Sequence, residues 1–135
     1  MANTDIHQIA EFMRAGGQTV PDDLDRELKF TELTNFITRT IDEIQETVEA
    51  AQQADYAEIL DGFIDTAYVA LSGAIRLVGE AKALAAWDAV VDANNAKIDG
   101  RYGDIVRDPD TGKILKPEGW QAPDIQAIID AKEIH

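Results

Sequence analysis

Apolar residues recur at helical spacing through the first two thirds of the chain. Ile6, Ile9, Ala10 and Met13 fall on one face and Gly16-Gly17 follows, which predicts a short helix over about 5–15. After a loop through Gln18 and Pro21, Asp22 or Asp23 can cap a long second helix reaching about Gln53. Its Leu33, Phe36, Ile37, Ile41, Ile44, Val48 and Ala51 alternate steps of three and four, the mark of one buried stripe. Asp55 with Glu58 three residues on has the capping-box pattern and opens a third helix to about Val78, where Gly79 ends it. Leu60, Phe63, Ile64, Ala67, Leu71, Ile75 and Val78 make its core side. A fourth helix covers about 80–96, with Leu84, Trp87, Val91 and Ile98 on one face.

After Asp99-Gly100 the pattern changes. Ile105-Val106-Arg107, a turn through Asp108-Pro109-Asp110-Thr111-Gly112, and Lys113-Ile114-Leu115 together read as a small β-hairpin. Pro117, Gly119 and Pro123 mark irregular chain, and Asp124 can cap a last short helix containing Ile125, Ile128 and Ile129. The fold class expected is all-α: an antiparallel bundle of about four helices with a small C-terminal hairpin and a short terminal helix. At 135 residues this is one domain, with a helical core over 1–98 and a hairpin and tail over 99–135.

Composition narrows the partners. Acidic residues outnumber basic ones 26 to 12, for a net charge of −14, which repels nucleic acid polymers and anionic membranes. Zero cysteines exclude disulfides, thiolate metal sites and a cysteine nucleophile. The N-terminus has no apolar h-region, and the longest apolar stretch, about 63–78, is broken by Asp65 and Arg76. A cytoplasmic protein is expected, in the host cytoplasm if the gene is a phage's.

Carboxylates carry the candidate chemistry. Glu43 and Glu46 stand three apart on the second helix and are helical neighbours, either as a solvated acidic face or as ligands. On the third helix, Glu58, Asp61 and Asp65 follow i, i+3, i+7 spacing among mostly apolar residues. Two acids held together with little solvent raise each other's pKa unless a cation lies between them, or unless neighbouring helices donate hydrogen bonds. Oxygen-only ligands suit Mg²⁺ or Mn²⁺. The histidines, His7 and His135, lie near the termini, which argues against di-iron or zinc chemistry. Asn94 falls on the apolar face of the fourth helix, either satisfied by backbone at a helix end or, with Lys97, facing the carboxylates.

Asp42-Glu43-x-x-Glu46 followed by an acidic pair resembles the Glu-Glu-x-x-Glu … Glu-x-x-Asp pattern of all-α nucleoside triphosphate pyrophosphatases. Glu11-Phe12-Met13 with Gly17-Gln18, Asp65-Thr66-Ala67-Tyr68-Val69, Ala93-Asn94-Asn95-Ala96-Lys97, Gly112-Lys113-Ile114-Leu115-Lys116-Pro117 and Pro123-Asp124 resemble the MazG-like branch, in order, over about 6–125. Departures exist. Asp42 replaces a Glu, alanines replace the serines around Asn94, and Gly62 stands where a Glu would be if Asp65 is the motif's Asp, so that Asp61 substitutes. The frame Glu58-x-x-Asp61 fits the motif literally one turn away, with Glu58 otherwise an outer ligand.

The resemblance implies Mg²⁺- or Mn²⁺-dependent hydrolysis of a deoxynucleoside triphosphate to monophosphate and pyrophosphate. Glu43, Glu46, Asp61 and Asp65 become metal and catalytic residues. Lys97, with Arg107, Lys113 and Lys116, would bind phosphates, while Gln18, Asn35 or Asn94 would read the base edge. Among the aromatics, Trp87, Trp120 or Phe12 would stack on the base or fill core. Deoxypurine triphosphates (dGTP or dATP) are slightly favoured. Alternatives are dUTP hydrolysis, phosphoribosyl-ATP hydrolysis, or a non-enzymatic acidic helical interaction module. A homo-oligomer, dimer or tetramer, is implied as well.

Overall fold

The computed structural model describes residues 4–132. Four helices form: α1 (Thr4–Ala15), α2 (Phe30–Gln52), α3 (Tyr56–Asn95) and α4 (Ile125–Asp130). No strand forms among the described residues, and no helix there is long and apolar enough to cross a membrane. The chain divides into two compact units, Met1–Ala83 and Leu84–His135.

In the first unit, α1 buries Ile6, Ile9, Ala10 and Met13, the four residues of its apolar face. Full burial of one such large side chain stabilises by roughly 1.5–3 kcal/mol. Phe12 meets Tyr68 of α3 edge to face, with ring centroids 5.9 Å apart. Gly17, at φ 81°, then turns the chain out of the helix, and the Gln18 amide closes it on the Met13 carbonyl at 2.8 Å.

The second helix starts at Phe30, not near Asp22. The intervening aspartates bond locally instead of capping. Asp23 accepts the Leu24 amide, Asp25 accepts the Glu27 amide, and the Asp25 amide reaches the Leu77 carbonyl of α3. The buried Arg76 holds this segment. It donates to Asp25 at 2.7 Å and forks onto Glu32 at 2.6 and 3.2 Å. Buried Lys82 pairs with Asp23 at 2.5 Å.

Asp55 opens α3 as expected, accepting the Glu58 amide at 3.2 Å. Gly79 breaks it at φ 85°, ψ 174°, as the sequence predicted, so α3 is two helical segments, 56–78 and 80–95, that meet at a kink. A side chain at Gly79 would strike the Pro21 carbonyl, and only glycine fits that backbone.

Of the predicted stripe of α2, Leu33 and Phe36 are half-buried, but its middle is not. Ile37, Ile41, Ile44 and Val48 are about half exposed, as are Leu60, Phe63 and Ile64 of α3. The helices meet through glycines of α3 set against side chains of α2. Gly62 lies against Thr47 and Gly73 against Phe36, too close for any larger side chain at Gly62. Thr40, Thr47, Thr66 and Ser72 each bond their hydroxyl to a carbonyl one turn back in their own helix.

In the second unit, the Trp120 indole donates to the Ala93 carbonyl at 2.7 Å and ties the tail to the end of α3. Arg101 bridges Asp92 and Asp99. The expected hairpin reduces to a single antiparallel bridge between Arg107 and Ile114, flanked by 2.8 Å bonds from Asp108 to Lys113 and from Leu115 to Val106. Asp108 turns the chain by accepting the Asp110 and Thr111 amides, and the paired stretch is too short for a ladder. Asp124 caps α4 through the Ala127 amide at 2.9 Å.

Candidate active site

The Thr47–Gly62 and Phe36–Gly73 contacts, with the Arg76–Glu32 pair, fix α2 and α3 antiparallel and in register. That register sets Glu43 of α2 level with Asp65 of α3. Glu46 lies a turn further along α2 and Asp61 a turn back along α3. Glu43 and Asp65 are half-buried; Glu46 and Asp61 are exposed.

The electrostatics of Glu43 record the gathering. Its carboxyl is held above the ordinary range, first by partial desolvation and then by the charge of Glu46 and Asp65. A hydrogen bond to Glu46, which only the protonated acid can donate, and the charge of Asp61 add to the shift. Three acids from two helices thus raise Glu43. Asp61 is more open to solvent than its apolar neighbours suggested, because Leu60, Phe63 and Ile64 are themselves exposed. Glu58 stands exposed in the first turn of α3. The Asp61/Asp65 frame, not Glu58/Asp61, supplies the acids from both turns that act on Glu43.

Among the described residues, no three His, Asp or Glu side chains are close enough as they stand to hold a metal ion. The donor set still fits a hard divalent cation: all oxygen, and repelled enough that added positive charge relieves it. His7 is engaged elsewhere, between Glu80 at 2.8 Å and Glu11 at 3.1 Å, and His135 lies outside the described residues.

Of the other expected contacts, Gln18, Asn35 and Phe12 belong to the first unit and the rest to the second. Asn94 is exposed and does not point inward. Its amide donates to the Val90 carbonyl at 3.1 Å and its oxygen accepts Lys97 at 2.9 Å. This is the helix-end arrangement, with the 3.6-residue period carried past the point where the helix packs. Lys97 and Lys116 rest on Trp120, with Nζ 5.0 and 5.2 Å from its ring centroid, and neither has a carboxylate partner among the described residues. Arg107 donates to the Gly112 carbonyl at 3.3 Å, and Lys113 is exposed in the same turn. Trp120 is thus a platform for cations, while Trp87 is about half exposed.

Two of the expected base-edge readers, Gln18 and Asn35, border one polar cleft just after α1 whose other walls sequence reasoning did not name. Gln18 and Thr19 border it, with Asn35, Phe36 and Arg39 of α2 and buried Arg76 at its base. Arg76 was the available signal: a lone cation in an apolar helical run requires partners. The chain matches no known family model and no curated protein.

Proposed function

We propose that the first unit carries the metal site of a nucleoside triphosphate pyrophosphohydrolase, converting a deoxynucleoside triphosphate to its monophosphate and pyrophosphate. One observation carries the reading: Glu46, Asp61 and Asp65 all act on Glu43 across two helices packed through Gly62. Packing alone gains nothing from four acids brought together, since repulsion opposes it. A cation-binding role explains why the sequence retains them. The resemblance to the MazG-like pattern, drawn from the same residues, supplies the reaction class.

Glu43, Glu46, Asp61 and Asp65 would hold Mg²⁺ or Mn²⁺, with Glu58 as an outer ligand. When bound, the ion neutralises phosphate oxygens and lowers the pKa of a water. A carboxylate left free accepts the proton of the water that attacks the α-phosphorus, and pyrophosphate departs. The resemblance would give phosphate binding to Lys97, Arg107, Lys113 and Lys116 of the second unit; among the described residues Lys97 and Lys116 have no carboxylate partner. Deoxypurine triphosphates are the favoured substrates and dUTP the alternative.

The half-exposed stripe of Ile37, Ile41, Ile44 and Val48 supports a second element of the proposal, a homo-oligomer in which copies cover that face. A panel of nucleoside triphosphates with pyrophosphate detection, with and without Mg²⁺ or Mn²⁺, tests the function. Turnover that needs the cation upholds it. No turnover with either cation would instead favour an acidic helical interaction module.

A further inference from the structure

Both ring nitrogens of His7 face carboxylates. Within α1, Nε2 lies 3.1 Å from Glu11, one turn on. Across the packing, Nδ1 lies 2.8 Å from Glu80 of α3. The second oxygen of Glu80 accepts the Arg14 guanidinium at 3.0 Å, so one carboxylate holds α1 at two points, two turns apart. Glu80 directly follows Gly79, which sets this cluster on the first turn past the kink.

A carboxylate only accepts hydrogen bonds, and a neutral imidazole has one N–H. Neutral His7 can therefore satisfy Glu80 or Glu11 but not both, and its other nitrogen turns a lone pair against a carboxylate oxygen. The imidazolium donates to both at once. The hydrogen bond and the charge of Glu80, followed by the charge of Glu11, accordingly raise the His7 pKa above its ordinary value. Partial burial pushes Glu80 up, but the bonds from His7 and Arg14 prevail and hold its carboxyl below the ordinary range. Glu11 and Arg14 of α1 and Glu80 of α3 are the charged groups gathered about the ring. The neighbouring ion pairs at the kink, Lys82 with Asp23 and Arg76 with Asp25 and Glu32, are built from other residue types. Histidine is the side chain whose ordinary pKa puts its change of charge near neutrality.

We propose that His7, Glu11, Glu80 and Arg14 form a proton-operated clamp, which tightens α1 onto the kink of α3 when the imidazole is charged and slackens it when the imidazole is neutral. The buried face of Ile6, Ile9, Ala10 and Met13 keeps α1 docked in either state, so slackening means more frequent local opening of α1 and not its release. Folding favours the charged form. The clamp is fully set below the ordinary histidine value of about 6.5, and it is lost as pH rises through the raised value.

The test is amide hydrogen exchange of α1 in the full chain, at about pH 5.5 and about pH 8.5, either side of the histidine range. Rates are corrected for the intrinsic pH dependence of exchange. Protection of α1 should fall roughly two- to fivefold across that range, the scale of one exposed charge pair. His7→Gln should abolish the step. Glu11→Gln should shrink it, because the new amide can donate to the bare nitrogen of the neutral ring. The His7 ring resonances should titrate above the ordinary value in the native chain and lower in Glu80→Gln. Equal α1 protection at the two pH values, or a step of the same size in His7→Gln, would overturn the proposal. So would a native His7 that titrates at or below its ordinary value.

Discussion

Glu43 is the residue on which the other three acids act, and its titration is therefore a readout of the whole group. Its carboxyl is raised in the folded protein, so folding favours the protonated form. The stability this contributes is complete at low pH and is lost as pH rises through the raised value. Glu43→Gln keeps the shape and removes the charge. At pH 7 it should melt at a higher temperature than the native chain, and the gap should close as pH falls below the ordinary carboxylate range. Mn²⁺ should raise the melting temperature of the native protein and not of the variant, by linkage to binding. A gap constant with pH would assign the effect to packing instead. Asp65→Asn should lower kcat/KM at least ~100-fold, beyond the 10–100-fold typical of an outer-shell partner, with helical circular dichroism unchanged. Full activity in that variant would remove Asp65 from the site. These acids were legible in the sequence because charge at helical spacing in an apolar run is costly. Asn94 was not, because period alone places it on a face without saying whether anything packs there.

At the scale of elements, α2 and α3 depend on a glycine where the motif's pattern would put a glutamate. A methyl group at Gly62 collides with Thr47, so Gly62→Ala should cost ~1–3 kcal/mol, the usual range for overpacking. Thr47→Ala in the same chain should recover part of that loss, since it removes the hydroxyl and methyl that a Cβ meets first. Chemical denaturation of the two single variants and the double variant measures the coupling, and purely additive losses would show that the contact does not govern the packing. Helix ends were legible wherever a cap or glycine acted locally: Gly17, Asp55 and Asp124 all do what their residue types predict. The start of α2 was not legible. Asp23 and Asp25 serve turns and ion pairs with Lys82 and Arg76, partners about fifty residues distant that no local pattern reveals. The hairpin was over-read for a related reason: its turn chemistry is real, but a sheet needs more paired residues than the chain supplies.

For the molecule as a whole, the α1 stripe is buried as expected, while the middle of the α2 stripe and the start of the α3 stripe stay exposed. Periodicity shows that a face is apolar; it does not say whether the same chain or another covers it. Light scattering at micromolar concentration should report at least a dimer. Ile41→Glu, in the middle of the exposed row on α2, should shift it toward monomer without loss of helix. A native chain that is monomeric under those conditions would remove the oligomer from the proposal. The charge of −14 bears on the same measurement, since copies repel at low salt and added salt should favour assembly.

The hydroxyls of α2 and α3 have a mechanical consequence. Thr40, Thr47, Thr66 and Ser72 each spend their proton inside their own helix, so none of the four is left to latch the facing one. The two rods therefore meet along a smooth rail, indexed by notches at Gly62 and Gly73 and pinned at one end by the Arg76 fork. The notches set the register and the charged fork holds it at one end. Pulling the pin, as in Arg76→Met, would free α2 to slip by a tooth, and a slip of one turn, ~5.4 Å, would carry Glu43 away from Asp65 without unfolding either helix.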